Sequence, residues 1–531
     1  MAASRHNGRM TSTTPEATPT TSTTAPAASP APETAPAVPA ASADGSGSTT
    51  NVPNATNPGT SNRGPSSTRR GSQVVIVGGG PGGYEAALVA AQLEADVTLV
   101  ERQGMGGAAV LTDVVPSKTL IATAEWRALV ESADELGIHM GELRHAALEV
   151  DLGEVNARVL ALAKQQSGDI RANLERQGIR IVDGTGRLAS PDTVVVAGEG
   201  EDEEELHADV VLLATGAAPR ELPTAIPDGE RILTWTQVYS LDAMPERLVV
   251  VGSGVTGAEF AGAFSALGVD VVLISSRDRV LPGEDADAAE LIENAFRRRG
   301  MEVLSRSRAA GVERRGDGVV VTLDDGREVL GSHCLLAVGG IPNTAGLGLA
   351  GSGVATTGSG HIVVDRVSRT TVRGVYAAGD VTGVLPLASV AATQGRIAMW
   401  HALGDAVAPL DVRRVPATVF TSPEIATVGV SEVDAAAHDA RVTTVPLARN
   451  PRAKMLGIHE GFVKVVSREG SGSVLGGVVV APRASELIHV LTLAVATRTT
   501  VDQLASAMTI YPSLSGSIAE GARQLHARLT D

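Results

Sequence analysis

One residue in 531 is cysteine, Cys334. A single thiol can neither close an intramolecular disulfide nor build a structural zinc site. It sits in the apolar run Cys334-Leu335-Leu336-Ala337-Val338, which reads as a buried strand and points to a packed rather than a reactive side chain. The eleven histidines show no paired ligand spacing, so no metal site is expected. No apolar stretch approaches the ~20 residues needed to span a bilayer, so no transmembrane segment is expected. Positive charge is also in short supply. Lys and Arg number 44 against 60 Asp and Glu, leaving a formal charge of -16. A nucleic-acid binder needs the opposite balance to neutralise phosphates. An acidic surface is the ordinary cytoplasmic condition, and a cytoplasmic location is the expectation.

Residues 1–72 lack Leu, Ile, Phe, Tyr and Trp altogether and are rich in Ala, Pro, Ser and Thr. Such a segment cannot bury enough surface to offset the entropy of ordering a chain. It also has neither the continuous apolar core of a secretory signal nor the spaced arginines of a transit peptide. It reads as a disordered extension; the alternative is a true start further in. The remainder has the balance of a globular protein, with 43% apolar and 20% charged residues over the whole chain. Its length calls for two to four domains.

From Gln73 the pattern changes. Val74-Val75-Ile76-Val77 runs into Gly78-Gly79-Gly80-Pro81-Gly82-Gly83, then a helical stretch from Tyr84 to about Glu94, then a strand Val97–Val100 ending at Glu101. A second copy comes later. Leu248–Val251 leads into Gly252-Ser253-Gly254-Val255-Thr256-Gly257, a helix, and Val271–Ile274 ending at Ser275. In both, the end-of-strand residue lies eighteen positions after the last glycine. In G-x-G-x-x-G the first glycine (Gly78, Gly252) permits a tight turn out of the strand. The second (Gly80, Gly254) lets backbone approach a pyrophosphate, and the third (Gly83, Gly257) lets the helix pack closely on the sheet. The helix N-terminus then offers free N–H groups to phosphate. Strand before and helix after are the confirming context, so two dinucleotide sites are expected.

The end-of-strand residue separates the ligands. Glu101 can accept hydrogen bonds from a ribose diol, which suits the adenosine of FAD. Ser275 carries no charge to repel a 2′-phosphate, and Arg277 or Arg279 could pair with one. NADPH is favoured on this reading, with NADH left open.

Further motifs come in order: Ala214-Thr215-Gly216 after a strand, Gly339-Gly340-Ile341-Pro342-Asn343, Tyr376-Ala377-Ala378-Gly379-Asp380, and Val419-Phe420-Thr421-Ser422-Pro423-Glu424. With these, the chain from Gln73 onward resembles the class I pyridine nucleotide–disulfide oxidoreductases, the lipoamide dehydrogenase and glutathione reductase family. The resemblance implies an α/β fold of two Rossmann-like dinucleotide-binding domains plus a C-terminal α+β dimerisation domain. It sets an FAD-binding domain at 73–220 and 340–412, an NAD(P)-binding domain at 221–339, and a dimerisation domain at 413–531. It further implies a homodimer, with Asp380 on the FAD ribityl chain. Gly107, Ala214, Thr215, Gly216 and Gly379 fall on the FAD side, and Gly339 on the NAD(P) side.

The departures matter most. The family carries a stretch like G-G-x-C-x-x-x-x-C-V-P-S-K. Here it reads Gly106-Gly107-Ala108-Ala109-Val110-Leu111-Thr112-Asp113-Val114-Val115-Pro116-Ser117-Lys118. Ala109 and Val114 stand in the cysteine positions, and neither can supply the thiolate that disulfide exchange requires. Near the C-terminus the family has H-P-T-x-x-E, where this chain has Tyr511-Pro512-Ser513-Leu514-Ser515-Gly516. Tyrosine, with an ordinary pKa near ~10, is a poor proton shuttle at neutral pH. By the resemblance Lys118 would sit beside the flavin and Glu259 would pair with it, a cation that stabilises negative charge on the reduced ring.

A chain that keeps the flavin side and loses the dithiol resembles, within that family, the cysteine-free actinobacterial NAD(P)H quinone reductases. The function expected is hydride transfer from NAD(P)H through FAD to a quinone, with Lys118, Glu259 and Tyr511 as the catalytic candidates. A soluble pyridine nucleotide transhydrogenase is the first alternative, since such enzymes also carry tyrosine at the histidine position. A catalytically silent flavin-bearing subunit is the second. Met105 reads as a packing residue, and the run Glu201-Asp202-Glu203-Glu204-Glu205 as a solvated hairpin loop.

Overall fold

The computed structural model describes residues 71–139, 148–198, 200 and 202–529. The Ala/Pro/Ser/Thr-rich segment, apart from its last two residues, lies outside the described residues.

Two five-stranded parallel sheets form the first two layers of architecture, and they are built alike. In the first, Gln73–Val77 lies at the centre between Asp96–Glu101 and Val210–Leu213, with Arg180–Asp183 and Val375–Ala377 at the edges. In the second, Arg247–Val251 lies between Asp270–Ile274 and His333–Leu336, with Glu302–Leu304 and Ile232–Thr234 outermost. The central strands read as unbroken apolar runs because both faces are covered. Val74 to Val77 and Leu248 to Val251 are all buried. Cys334 is part of the second sheet, paired between Val249 and Ile232 and fully buried. Burial pushes its thiol far above the usual range, so it packs and does not react.

Each parallel sheet carries a three-stranded antiparallel sheet: Thr185–Ser190, Thr193–Ala197 and Glu203–His207 on the first, Ala309–Arg315, Gly318–Leu323 and Glu328–Gly331 on the second. Here the acidic run departs from expectation. Glu203, Glu204 and Glu205 are not loop; they pair in register with Ala197, Val196 and Val195, while Glu201 lies outside the described residues. Leu206 is buried and anchors the strand, and the carboxylates stay solvated. Glu203 pairs with Arg187 at 2.9 Å and Glu204 with Arg180 at 2.7 Å. An edge strand tolerates charge, which also deters edge-to-edge association.

The helix after the first glycine turn spans Pro81–Gln92, starting earlier than its apolar pattern suggests. Proline at the first helical position costs no hydrogen bond, since that N–H has no intrahelical partner anyway. Glu94, at φ 61°, turns the chain out of it.

The C-terminal unit is α+β, as expected. Its antiparallel sheet runs Ala417–Val419, Glu424–Gly429, Val474–Ala481, Phe462–Arg468, Ala440–Pro446, covered by helices Ala484–Thr497 and Gly516–Leu529. One apolar cluster joins all three units. Leu120 and Ile121 from helix Val114–Glu131, Phe260 and Phe264 from helix Val255–Ala266, and Ile425 and Val480 from the C-terminal sheet are buried together. Each such side chain contributes roughly 1.5–3 kcal/mol by leaving water. The junction they build is where the site lies. Among the described residues no helix is long and apolar enough to cross a membrane, and no acidic, histidine and cysteine group could hold a metal ion.

Candidate active site between two dinucleotide turns

The two glycine turns have the same geometry. Gly78 and Gly252 adopt φ of 107° and 113°, where a side chain is strained. A Cβ on Gly78 would lie 2.3 Å from the carbonyl oxygen of Ala214, and one on Gly252 would lie 2.2 Å from that of Ala337. A Cβ on Gly83 or Gly257 would lie 1.8 Å from the oxygen of Gly78 or Gly252. Gly80 and Gly254 are different: a Cβ there would meet nothing within 4 Å. The first and third glycines are thus demanded by the protein's own packing. The second opens onto space at a helix N-terminus, where a pyrophosphate fits.

The residue facing each turn differs between the two units. Glu101 is buried; its Oε2 accepts from Gly79 N at 2.6 Å, and its Oε1 from Arg102 N and Gln103 N at 2.8 and 2.7 Å. A Cβ on Gly79 would lie 3.1 Å from that Oε2, so the glutamate needs glycine opposite it. In the second unit Ser253 replaces Gly79, and its hydroxyl donates to Ser275 Oγ at 2.7 Å. Ser275 is fully buried and also accepts from Arg277 N at 3.1 Å. The Ser275 hydroxyl, expected at the nucleotide, is therefore turned into the loop, where Ser253 and Arg277 engage it. The outward positions fall to Ser276 and Arg277, both exposed, and Arg277 has no carboxylate partner among the described residues.

Both sheets then close on an equivalent strand end. Ala214-Thr215-Gly216 comes after Val210–Leu213, and Gly339 ends the segment after His333–Leu336. Gly216 and Gly339 share positive φ, at 69° and 89°, with open space beside them. Thr215 Oγ1 donates to the Asn343 carbonyl, and Asn343 Nδ2 donates to the Thr215 carbonyl, both at 2.9 Å. Ala217–Pro219 and Gly340–Pro342 pair as a short antiparallel ribbon where the chain passes between the units. On the other side Gly106 N donates to Gly79 O at 2.8 Å, and a Cβ on Gly107 would lie 3.0 Å from Gly80 Cα. The Gly106-Gly107 loop is therefore folded onto the first turn, with Met105 buried beneath it as a packing residue.

Lys118 and Glu259, 141 residues apart, meet at 2.8 Å. Glu259 is 4% exposed, and its second oxygen accepts from Phe420 N at 2.9 Å. The Lys118 ammonium lies 4.9 Å from the centre of the Phe420 ring. One carboxylate thereby ties together the three units. Phe420 is a residue the sequence did not single out. It lies in one of the family motifs, but nothing in its spacing says that its N–H serves Glu259.

Two further carboxyls lie nearby, Asp113 within electrostatic reach of Lys118 and Glu259, and Asp380 within reach of Asp113. Asp380, in the turn Asp380–Thr382 after Gly379, receives no hydrogen bond to its side chain among the described residues. Burial, and secondarily the nearby Asp113, push its carboxyl up to about 6, with His361 pulling the other way. Asp113 begins the helix Val114–Glu131 without capping it. Ala109, in the short helix Gly107–Leu111, and Val114 are half-buried beside these groups in chain order, so apolar side chains occupy the thiol positions. Tyr511 is not brought into this cluster. It is 82% exposed and makes no hydrogen bond among the described residues.

The residues present fit two dinucleotides, on the observation that Gly80 and Gly254 each leave open a space that any side chain would fill.

Comparison with known proteins agrees with this geometry. Residues 72–395 match the family model for pyridine nucleotide-disulphide oxidoreductases, and residues 415–522 match that family's dimerisation domain. The chain is 52% identical over 468 residues to an NAD(P)H dehydrogenase (quinone) of Mycobacterium tuberculosis, covering 86% of this chain and 94% of the relative. It is 35% identical to a dihydrolipoyl dehydrogenase of Haloferax volcanii, covering 85% and 96%. The crystal structure of LpdA from Mycobacterium tuberculosis superposes with a TM-score of 0.82 at 52% identity, over 86% of this chain and 99% of that one. With five parallel strands around each glycine turn, a lysine–glutamate clasp between them and these matches, the chain belongs to the pyridine nucleotide-disulphide oxidoreductase family.

Proposed function

We propose that this protein is an FAD-dependent NAD(P)H:quinone oxidoreductase with no dithiol relay. The observation that carries the reading is the combination in one junction of an intact Lys118–Glu259 clasp with Ala109 and Val114 where thiols would stand. FAD, when bound, accepts hydride from a nicotinamide and passes the electrons on. The chain's own residues do the rest. Gly78, Gly80 and Gly83, with Glu101, Gly107, Thr215, Gly216, Gly379 and Asp380, would hold the flavin dinucleotide. Gly252, Gly254, Gly257, Gly339 and Arg277 would hold the NAD(P)H. Lys118 keeps a positive charge beside the flavin, and Glu259 fixes where that charge lies. Electrons then have no thiol to pass through, so the acceptor must enter the site itself, and a flat quinone suits a stacked, desolvated cleft. The quinone named as acceptor for the Mycobacterium tuberculosis relative supports the same acceptor class.

The protomer is organised as an FAD unit at 73–220 and 340–412, an NAD(P) unit at 221–339, and a dimerisation unit from 413, in line with sheet membership. A homodimer is supported by the dimerisation-domain match and by Leu493, Met508, Ile510 and Tyr511, exposed on that unit. A cytoplasmic site of action fits the acidic composition.

Parallel steady-state assays with menadione and lipoamide test the reading. Menadione turnover well above lipoamide turnover is expected; the reverse order would overturn it. Rapid transfer from NADPH to thio-NAD without a quinone would instead indicate a transhydrogenase.

A further inference from the structure

The second dinucleotide unit, 221–339, holds twelve arginines and no lysine. Eight of its guanidinium groups are engaged by a carboxylate, histidine or serine side chain. Arg247, for one, spans Asp270 and Glu302 at 3.0 and 2.8 Å. The other four are Arg277, Arg279, Arg306 and Arg308. Their side chains make no hydrogen bond or ion pair among the described residues.

Those four lie in two loops that begin where neighbouring parallel strands end. Asp270–Ile274 and Glu302–Leu304 pair with Ile274 opposite Leu304. The pairing then continues beyond the strands. Ser275 N donates to Leu304 O at 2.9 Å, Ser307 N to Ser275 O at 2.8 Å, and Arg306 N to Arg277 O at 2.7 Å. The last bond makes Arg277 and Arg306 backbone neighbours across the two loops, and both are exposed. Arg306 adopts φ 52°, a left-handed conformation that arginine enters only where its surroundings impose it. Asp278 is the one carboxylate in segment 275–281, and it forms no ion pair among the described residues. On a chain of formal charge -16, a basic edge without internal compensation attracts an anion.

The position of this edge names the anion. In an open parallel sheet the dinucleotide lies beyond the carboxyl ends of the strands, with its adenosine ribose at the end of the second strand. Ser275 stands there, neutral and with its hydroxyl turned inward, so no carboxylate competes for the ribose 2′ position. Glu302–Leu304 is the next strand outward, and the loop after it borders the same place.

We propose that Arg277 and Arg306, one from each loop, are the two arms of a site for the 2′-phosphate of the dinucleotide, which makes NADPH the preferred substrate over NADH. The phosphate takes charge-assisted hydrogen bonds from both guanidinium groups. Arg279 and Arg308 add to the positive field around it. NADH brings no group that uses these charges. The inference rests on reading the Gly252 turn as the NAD(P)H site, and adds to it the second arm and the choice of nucleotide.

Calorimetric titration of the holoprotein with 2′,5′-ADP and with 5′-AMP isolates the phosphate. The two probes differ in that group alone, and neither carries a nicotinamide to reduce the flavin. The unaltered protein should bind 2′,5′-ADP about 10²-fold more tightly than 5′-AMP, with roughly tenfold from each arginine, the size of a hydrogen bond to a charged group. R306A should lose roughly tenfold for 2′,5′-ADP and nothing for 5′-AMP. R306G removes the same guanidinium while relieving the backbone, and should match R306A. The double variant R277A/R306A should bind both nucleotides alike. No preference for 2′,5′-ADP in the unaltered protein, a loss in R306A shared by both nucleotides, or R306G behaving as the unaltered protein would each overturn the assignment. Anaerobic bleaching of the flavin tests the turn itself. If neither NADPH nor NADH bleaches it, the reading of the turn falls; bleaching without any preference for 2′,5′-ADP sinks the phosphate site alone.

Discussion

The two dinucleotide units share a frame and part company at a coupled pair of positions facing the turn. In each, a parallel strand enters a G-x-G-x-x-G turn whose first and third glycines are locked by backbone carbonyls and whose second faces open space. Opposite the turn the first unit pairs Gly79 with Glu101, while the second pairs Ser253 with Ser275. The exchange is coupled. A carboxylate at the strand end reaches the turn's N–H only if the facing residue lacks a side chain, and a serine there fills the room only if the partner is short. On the proposed reading the frame binds a dinucleotide, and this pair would distinguish the two ligands. A buried, hydrogen-bonded carboxylate suits a ribose diol. A neutral buried pair, beside an exposed Arg277, leaves the loop open to a phosphate.

The largest effect should come from breaking one frame at a time. Gly80→Val adds atoms only to the ligand's space, so the protein should fold but be isolated colourless, as a visible spectrum would show. Gly254→Val should leave it yellow but unable to be bleached by NADPH. A colourless Gly254→Val would mean that the two turns have been assigned the wrong way round. Next in size is the clasp between the units. Lys118→Met removes the charge proposed to lie beside the flavin and leaves Glu259 buried with one partner. The rate of flavin reduction in stopped flow should drop by about 10²-fold. Glu259→Gln, which keeps a hydrogen-bonding group for Phe420 N, should lose less. Smaller again is the coupled pair. Arg277→Ala should raise KM for NADPH by roughly tenfold, a loss of ~1.4 kcal/mol, while KM for NADH stays the same. Equal changes for both would remove Arg277 from the phosphate site.

The smallest effect concerns Asp380. Its carboxyl, about 6 when folded against 3.8 as an ordinary group, binds its proton more tightly in the folded, flavin-free protein. That contribution to stability is full below the ordinary value and is lost as pH rises from there through about 6. The melting temperature of apoprotein should decline by a few degrees over that window, and less in D380N. A decline equal in both proteins would place the titrating group elsewhere.

Much of this was legible in the sequence, for local reasons. Strand, glycine turn and helix are consecutive, so spacing alone carries both dinucleotide units, and the strict register of Gly106 to Lys118 shows that the thiols are gone. What spacing could not carry was contact across the fold. Phe420 reaches Glu259 from 161 positions away, and nothing in its own neighbourhood says so. Ser275 was legible as neutral but not as buried, because its burial depends on Ser253 across the sheet. The acidic run Glu201-Asp202-Glu203-Glu204-Glu205 reads as loop by charge, yet Leu206 and two arginines hold Glu203, Glu204 and Glu205 in an edge strand. Asp113 lay in plain view between Gly106 and Lys118. Its neighbour Glu259 arrives from the NAD(P) unit and Asp380 from the far segment of its own unit, so only the folded chain sets its surroundings.

The most direct test of a flavin that works without thiols is an anaerobic two-step mix. The purified yellow protein is first reduced with NADPH, and the product is then mixed with either menadione or lipoamide while the flavin absorbance is monitored. Full bleaching by NADPH is predicted, with rapid return of the yellow colour on menadione and none on lipoamide. Failure to bleach, or recovery of colour with lipoamide, would contradict it.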